Sequence, residues 1–378
     1  MKTKISNYIL LGLLAWAGAQ LVSCKKNELE VGTPTTRKIS TIKDPETSIT
    51  GGNMGDWIAI HGTNLAALES VWFNDVEVDL EEVYHEDDIL YLQVPIKMPV
   101  DITDKIVIKT KGGETSFDFK VDIPDLELTG MFNEYTLPGD TIRIYGRFLS
   151  LYEVDSENSV VAFGDRETPV ISATDTYITA KVPADVPSNV KVALINNKYD
   201  ATAICPGYYQ DKNHVITSFD DDFPYASATG QQWVGAWSNP KPTSGKYIRF
   251  EVDQQTYPNG LGWFYLFENS YNYTQDMIQH PENYELKFEL NMALPIQRTN
   301  FFIYYYWAVA PSPMGGETFS VQTLGRWQTI AIPLEKIIPM GDDGTSTAFS
   351  LNMRVENFAP VERVAMYFDN FRIYKKGD

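Results

Sequence analysis

Gly55-Asp56-Trp57-Ile58-Ala59-Ile60-His61-Gly62 returns later in the chain as Gly139-Asp140-Thr141-Ile142-Arg143-Ile144-Tyr145-Gly146. Each copy alternates apolar residues between an opening Gly-Asp and a closing Gly, the period of a half-buried β-strand entered through a turn. Two further segments follow in the same order. Val71-Trp72-Phe73-Asn74-Asp75 matches Val161-Ala162-Phe163-Gly164-Asp165, and Leu90-Tyr91-Leu92-Gln93-Val94-Pro95 matches Ile178-Thr179-Ala180-Lys181-Val182-Pro183. Each copy ends on another alternating strand, at 105–109 and 190–195. Short strands at regular spacing, duplicated in order, predict two small sandwiches in tandem.

These residues carry a family resemblance. Gly-Asp-x-Ile-x-Ile-x-Gly, then Val-x-Phe-Gly/Asn-Asp, then a strand closing on Val-Pro, resembles the IPT/TIG immunoglobulin-like module over about residues 38–205. The fold predicted is all-β, with two tandem IPT/TIG-like sandwiches (39–124 and 125–206) followed by a larger jelly-roll-like sandwich (207–378). Trp57, Phe73 and Phe163 sit at positions a core would claim, so the modules read as rigid spacers. Pro124 and Pro206 stand near the joints, where a fixed φ stiffens the chain.

The N-terminal end reads as an address. Lys2 and Lys4 precede an apolar run from Ile9 to Ala19, too short for a membrane span, and Leu21-Val22-Ser23-Cys24 looks like a lipobox. Residues 1–23 are thus a lipoprotein signal peptide and Cys24 the lipidation site. Residues 24–38 are a polar tether. Cys205 is the other cysteine, so no disulfide forms within the lipidated chain. A net charge of -19 excludes nucleic acid as a partner, because its phosphates reward Lys and Arg.

From Gly207 onward the composition changes. Of the seven tryptophans after the signal, five lie here: Trp233, Trp237, Trp263, Trp307 and Trp327. Tyr284, Leu286, Phe288, Leu290 and Met292 alternate with Glu285, Lys287, Glu289 and Asn291, again a strand. Phe301-Phe302-Ile303-Tyr304-Tyr305-Tyr306-Trp307 is aromatic on both faces of a strand, whereas a half-exposed strand is polar on one. Exposed aromatic patches mark binding surfaces, and flat rings with a polar tip suit sugars. Trp263, Tyr304, Tyr306 and Trp307 are the candidate glycan platform, with Trp233 and Trp237 as extensions and Gln231, Gln232, Gln297, Arg298 and Asn300 as hydrogen-bond partners. Trp327 reads as structural. The sequence contains no Gly-x-Ser-x-Gly, no His-Glu-x-x-His, no Walker loop and no metal-spaced His/Cys cluster, so the chain reads as non-catalytic.

Lipobox, tether, tandem modules and an aromatic terminal domain together resemble the surface glycan-binding proteins of Bacteroidetes polysaccharide utilization loci, in a SusE/SusF-like role. The resemblance implies an outer-membrane lipoprotein facing the cell exterior that binds a polysaccharide through Trp and Tyr. A β-glucan such as xyloglucan or mixed-linkage glucan is the implied ligand. A SusC-like TonB-dependent transporter and a SusD-like protein are the implied partners. Lys25 and Lys26 depart from the acidic residues that follow the cysteine in outward-facing members. Jelly rolls ending like Met366-Tyr367-Phe368-Asp369-Asn370-Phe371 also imply a structural calcium, held by Asp220, Asp222 and Asp369. The rival readings are an adhesin acting through the Ig-like modules and an unrecognised glycoside hydrolase, which needs only two carboxylates suitably spaced.

Overall fold

The computed structural model describes residues 32–221, 233–253, 255, 258–259, 262–271, 273–294, 300–307, 316–318, 323–338, 349–357 and 363–378. For 262–271, 300–307, 316–318 and 349–357 it describes the backbone alone. Cys24, the signal and most of the tether therefore lie outside the described residues. The chain divides into two compact units at Ile123/Pro124, beside the proline expected to stiffen that joint.

The first unit is an Ig-like sandwich. Its strands are β1 (Thr35–Thr41), β2 (Gly51–Asn53), β3 (Trp57–Thr63), β4 (Leu68–Phe73), β5 (Val76–Glu77), β6 (Tyr84–His85), β7 (Ile89–Gln93), β8 (Lys105–Thr110), β9 (Gly113–Asp118) and β10 (Lys120–Asp122). Sheet β1-β3-β7-β6 packs on sheet β5-β4-β8-β9, and β2 pairs in parallel with β10. Ile58, Ile60, Leu90, Leu92, Val71, Phe73, Ile106 and Ile108 fill the space between, one face of each strand.

The second unit opens with a module that repeats this order in β11 (Glu127–Met131), β12 (Thr141–Arg147), β13 (Ser159–Phe163), β14 (Arg166–Ala173), β15 (Tyr177–Lys181), β16 (Val192–Asn196) and β17 (Ala201–Ile204). Strand β14 pairs with β13 along its first half and β15 along its second, so the strands run on as β11-β12-β15-β14-β13-β16-β17.

The recurring motif has a geometric cause in both copies. Gly55 and Gly139 adopt φ of +84° and +86°, which only glycine takes without strain. The amides of Gly55 and Gly139 donate to Val94 and Val182 of the Val-Pro segments, and those valine amides donate back to Asp56 and Asp140. The closing glycines admit a neighbouring strand. A Cβ on Gly62 would stand 2.0 Å from the Thr35 carbonyl oxygen, and one on Gly146 2.6 Å from that of Glu127. Three dispersed sequence signatures thus describe one knot of backbone. Trp57 departs from expectation: the residue is 42% exposed, because the alternation of β3 gives the core to Ile58 and Ile60.

The rest of the second unit is a two-sheet sandwich. Its strands are β18 (Val215–Thr217), β19 (Val234–Gly235), β20 (Tyr247–Asp253), β21 (Gly262–Tyr271), β22 (Tyr284–Met292), β23 (Asn300–Trp307), β24 (Gly316–Thr318), β25 (Gln328–Pro333), β26 (Phe349–Asn357) and β27 (Arg363–Lys375), with a short helix α1 (Gln275–Gln279) after β21. One sheet runs β19-β20-β27-β22-β25, with β18 also on β27; the other runs β21-β26-β23-β24. On the first, Phe250, Leu286, Phe288, Leu290, Met366, Phe368, Phe371 and Ile373 share a buried apolar face.

Much of the opposite face is buried as well, although its strands alternate as if it met water. Lys287, Glu289, Asn291, Asp369 and Arg372 are all nearly inaccessible: Glu134 and Tyr135 of the preceding module close over Lys287 and Arg372, while Thr243 meets Asp369 and Gly325 meets Asn291. Arg372 is fully buried. Its guanidinium donates to Glu289 Oε1 and Oε2 at 3.0 and 2.9 Å, to Glu134 Oε2 at 2.6 Å and to the Asn370 carbonyl at 2.7 Å. Lys287 Nζ donates to Glu134 Oε1 at 2.7 Å. A bulge at Asn370, φ +51°, keeps Asp369 and Arg372 on one face.

Burial opposes both carboxylates, with different results. Glu134 is held below the ordinary carboxylate range by Arg372 and Lys287 together. Glu289 has Arg372 but no lysine, and burial pushes it up to about 7. Glu289 is therefore protonated first as pH falls.

Three outcomes follow from this packing. Gly146→Ala should destabilise the chain by ~1–3 kcal/mol, the cost of overpacking, as a lower midpoint in urea; an unchanged midpoint would contradict the close-approach argument. Arg372→Met strands two buried carboxylates and should cost ~3–5 kcal/mol. The folded chain keeps a proton on Glu289 that the unfolded chain has released between pH 4.5 and about 7, so its contribution to stability falls as pH rises through that window. Glu289→Gln should flatten that slope in thermal scans.

Candidate functional site

The four-stranded sheet β21-β26-β23-β24 carries Trp263, Tyr304, Tyr306 and Trp307, and its register sorts them. Residues directly opposite in an antiparallel pair share a face. Glu356 of β26 stands between Trp263 of β21 and Asn300 of β23. The next rows on that face are Tyr265–Arg354–Phe302, then Glu268–Asn352–Tyr304, then Ser270–Ser350–Tyr306, with a bulge in β21 between Tyr265 and Phe267. The other face holds Phe264, Val355 and Phe301, then Phe267, Met353 and Ile303, then Leu351 and Tyr305, then Tyr271, Phe349 and Trp307.

One face is thus nearly all apolar, with Asn269 the exception beside Leu351. The other mixes aromatic residues with Glu, Arg, Asn and Ser. Trp263, Tyr304 and Tyr306 belong to the mixed face. Trp307 does not, and its grouping with these three is corrected by strand parity. The sequence reading also missed β26. Phe349-Ser350-Leu351-Asn352-Met353-Arg354-Val355-Glu356-Asn357 alternates without a break, and that alternation alone would have identified Ser350, Asn352, Arg354 and Glu356 as the polar half of this face.

The remaining candidates lie elsewhere. Trp233 and Trp237 flank β19, on the edge of the six-stranded sheet, and so are not extensions on the sheet of Trp263. Trp233 packs edge-to-face on Phe250, ring centroids 5.0 Å apart, against the core. Trp237 is 37% exposed, lies beneath the Arg249 guanidinium at 5.5 Å and donates from Nε1 to the Trp233 carbonyl. Trp327 packs on Tyr247 and donates from Nε1 to the Lys241 carbonyl at 2.8 Å, the structural role read from its sequence. Gln231, Gln232, Gln297 and Arg298 lie outside the described residues.

Of the three carboxylates expected to hold a calcium, Asp369 and Asp220 are described, and both accept hydrogen bonds from the chain itself. Asp369 Oδ2 accepts from the Thr243 and Ser244 hydroxyls, and Oδ1 from the Asn370 amide. Burial, opposed by the Thr243 hydrogen bond and reinforced by Glu289 and Asp220, raises the Asp369 carboxyl well above its ordinary value. Asp220 Oδ1 accepts from the Lys246 amide, and Asp222 lies outside the described residues. Among the described residues no three His, Cys, Asp or Glu are grouped to hold a metal. None of their helices is long and apolar enough to cross a membrane.

Comparison with known proteins places these features. Residues 209–375 match the family model described as surface glycan-binding protein B xyloglucan binding domain, and residues 129–210 match the IPT/TIG domain. An IPT/TIG domain-containing protein of Bacteroides ovatus is 24% identical over 247 residues, covering 60% of this chain. The chain spans about half the length of that curated relative. The crystal structure of a surface glycan-binding protein B from Prevotella bryantii superposes with a TM-score of 0.59 at 19% identity, over 91% of this chain and 99% of that one, and shares its fold. The chain therefore carries an IPT/TIG domain followed by a C-terminal domain of the surface glycan-binding protein B xyloglucan-binding family.

Proposed function

We propose that this chain is a non-catalytic cell-surface lipoprotein, anchored through Cys24, that captures a β-glucan on the mixed face of sheet β21-β26-β23-β24. The observation that carries the reading is the register that sets Trp263, Tyr304 and Tyr306 on one face with Arg354, Asn352 and Glu356. Rings supply flat apolar area for the C–H faces of a sugar, and amide, guanidinium and carboxylate groups supply partners for its hydroxyls. The match of residues 209–375 to a xyloglucan-binding family supports xyloglucan as the first ligand to test. Mixed-linkage glucan is the second, since a surface glycan-binding protein B of Bacteroides ovatus is known in complex with a mixed-linkage heptasaccharide.

The six-stranded sheet gives one face to the apolar core, and on the other the module that carries Glu134 covers Lys287 and Arg372. A net charge of -19 suits a neutral polysaccharide. Binding rather than hydrolysis is supported by the match of residues 209–375 to a glycan-binding family. By this reading the glycan passes to a SusC-like TonB-dependent transporter with its SusD-like protein in the outer membrane.

Titration calorimetry with xyloglucan tests the site. Trp263→Ala and Tyr304→Ala should each weaken binding by ~1–3 kcal/mol, the scale of an aromatic anchor, without lowering the thermal midpoint. Trp307→Ala should do the reverse, lowering the midpoint while the remaining folded protein binds normally. If Trp307→Ala weakens binding and Trp263→Ala does not, the assignment of faces is wrong.

A further inference from the structure

The first module carries a second aromatic surface that the C-terminal site does not use. On sheet β1-β3-β7-β6, Tyr84 stands opposite Tyr91, Tyr91 opposite Ala59, and Trp57 opposite Gln93, which puts three ring-bearing residues on one face. Tyr84 is 70% exposed, and Trp57, Tyr91 and Ile42 are exposed beside it. With His85 and Glu86 these residues line an open groove of about 740 Å³. Neither the Trp57 indole nor the Tyr84 and Tyr91 hydroxyls hydrogen-bond to any described residue.

The duplication in this chain supplies its own control. The positions of Trp57, Tyr91 and Gln93 in the first copy are Thr141, Thr179 and Lys181 in the second, polar residues at the same places on the same fold. Rings at these positions are therefore not a requirement of folding, and exposed rings cost solubility unless something covers them. In the second module Thr141, Arg143 and Thr179 border a groove shared with Lys241 and Trp327 of the following domain.

We infer that Trp57, Tyr84 and Tyr91 form a second, weaker binding site for the same neutral β-linked glucan. The inference rests on the proposed function, because it takes its ligand class from there. Three rings beside Gln93, His85 and Glu86 repeat the mixture of flat apolar area and hydrogen-bonding groups found on the C-terminal face. A polysaccharide chain engaging both sites binds the second at high effective concentration, so a site too weak to matter alone raises the affinity for polymer.

The test uses the whole mature chain in gels containing polymeric xyloglucan and in calorimetry with a short oligosaccharide. Trp57→Ala/Tyr84→Ala should weaken retardation by polymer roughly tenfold and leave oligosaccharide binding at the C-terminal site unchanged. The single variant Tyr84→Ser, at the most exposed ring, guards against a misfolded double variant and should move in the same direction. A chain carrying Trp263→Ala should keep residual retardation that Trp57→Ala/Tyr84→Ala then removes. Retardation unchanged in both first-module variants would overturn the inference, as expected if the face docks a protein instead, and would leave the C-terminal reading intact. Conversely, binding that survives Trp263→Ala in full and is lost with Trp57→Ala/Tyr84→Ala would overturn the C-terminal reading and uphold this one.

Discussion

The guanidinium of Arg372, buried between two carboxylates from different parts of the chain, is the interaction on which the second unit depends. Glu289 comes from a strand of the terminal sandwich and Glu134 from the Ig-like module before it. Lys287 completes a set of two cations and two anions. Such a cluster is stable only when intact, because removing one member leaves a buried charge without its partner. The geometry is correspondingly demanding. It brings the module close over the six-stranded sheet, a face that would otherwise be wet, and makes module and sandwich one unit.

That closure bears on binding. On the six-stranded sheet the core takes one face and the Ig-like module covers Lys287 and Arg372 on the other. The register of the four-stranded sheet gathers apolar residues on one face and Trp263, Tyr304 and Tyr306 on the other. The proposed site would thus stand on paired strands and be held by the scaffold itself, which suits a flat, semi-rigid polymer.

Much of this was legible in the sequence because it rested on local rules. The duplicated Gly-Asp, Gly/Asn-Asp and Val-Pro segments predicted two sandwiches, and each residue proved to serve a backbone need: positive φ at Gly55 and Gly139, close approach at Gly62 and Gly146, reciprocal amide bonds at Val94 and Val182. What stayed hidden was long-range. The alternation of Lys287, Glu289 and Asn291 reads as a wet face in any single strand, and residues distant in sequence, Glu134, Arg372 and Gly325, make it dry. The aromatic run of β23 marks a special strand but not which residues share its mixed face; that follows from the pairing with β26, whose alternation is visible in its own sequence. Trp57 is the opposite case, an aromatic strand residue outside the core because Ile58 and Ile60 fill it.

The central claim is that a β-glucan lies across the rows of β21, β26 and β23. Hydrogen-exchange mass spectrometry of the mature chain, with and without a saturating xyloglucan oligosaccharide, measures it directly. The account predicts slowed exchange in 262–271, 300–307 and 349–357, with none at the seam around Glu134 and Arg372. Protection confined to that seam, or to the Trp233–Trp237 edge, would contradict it.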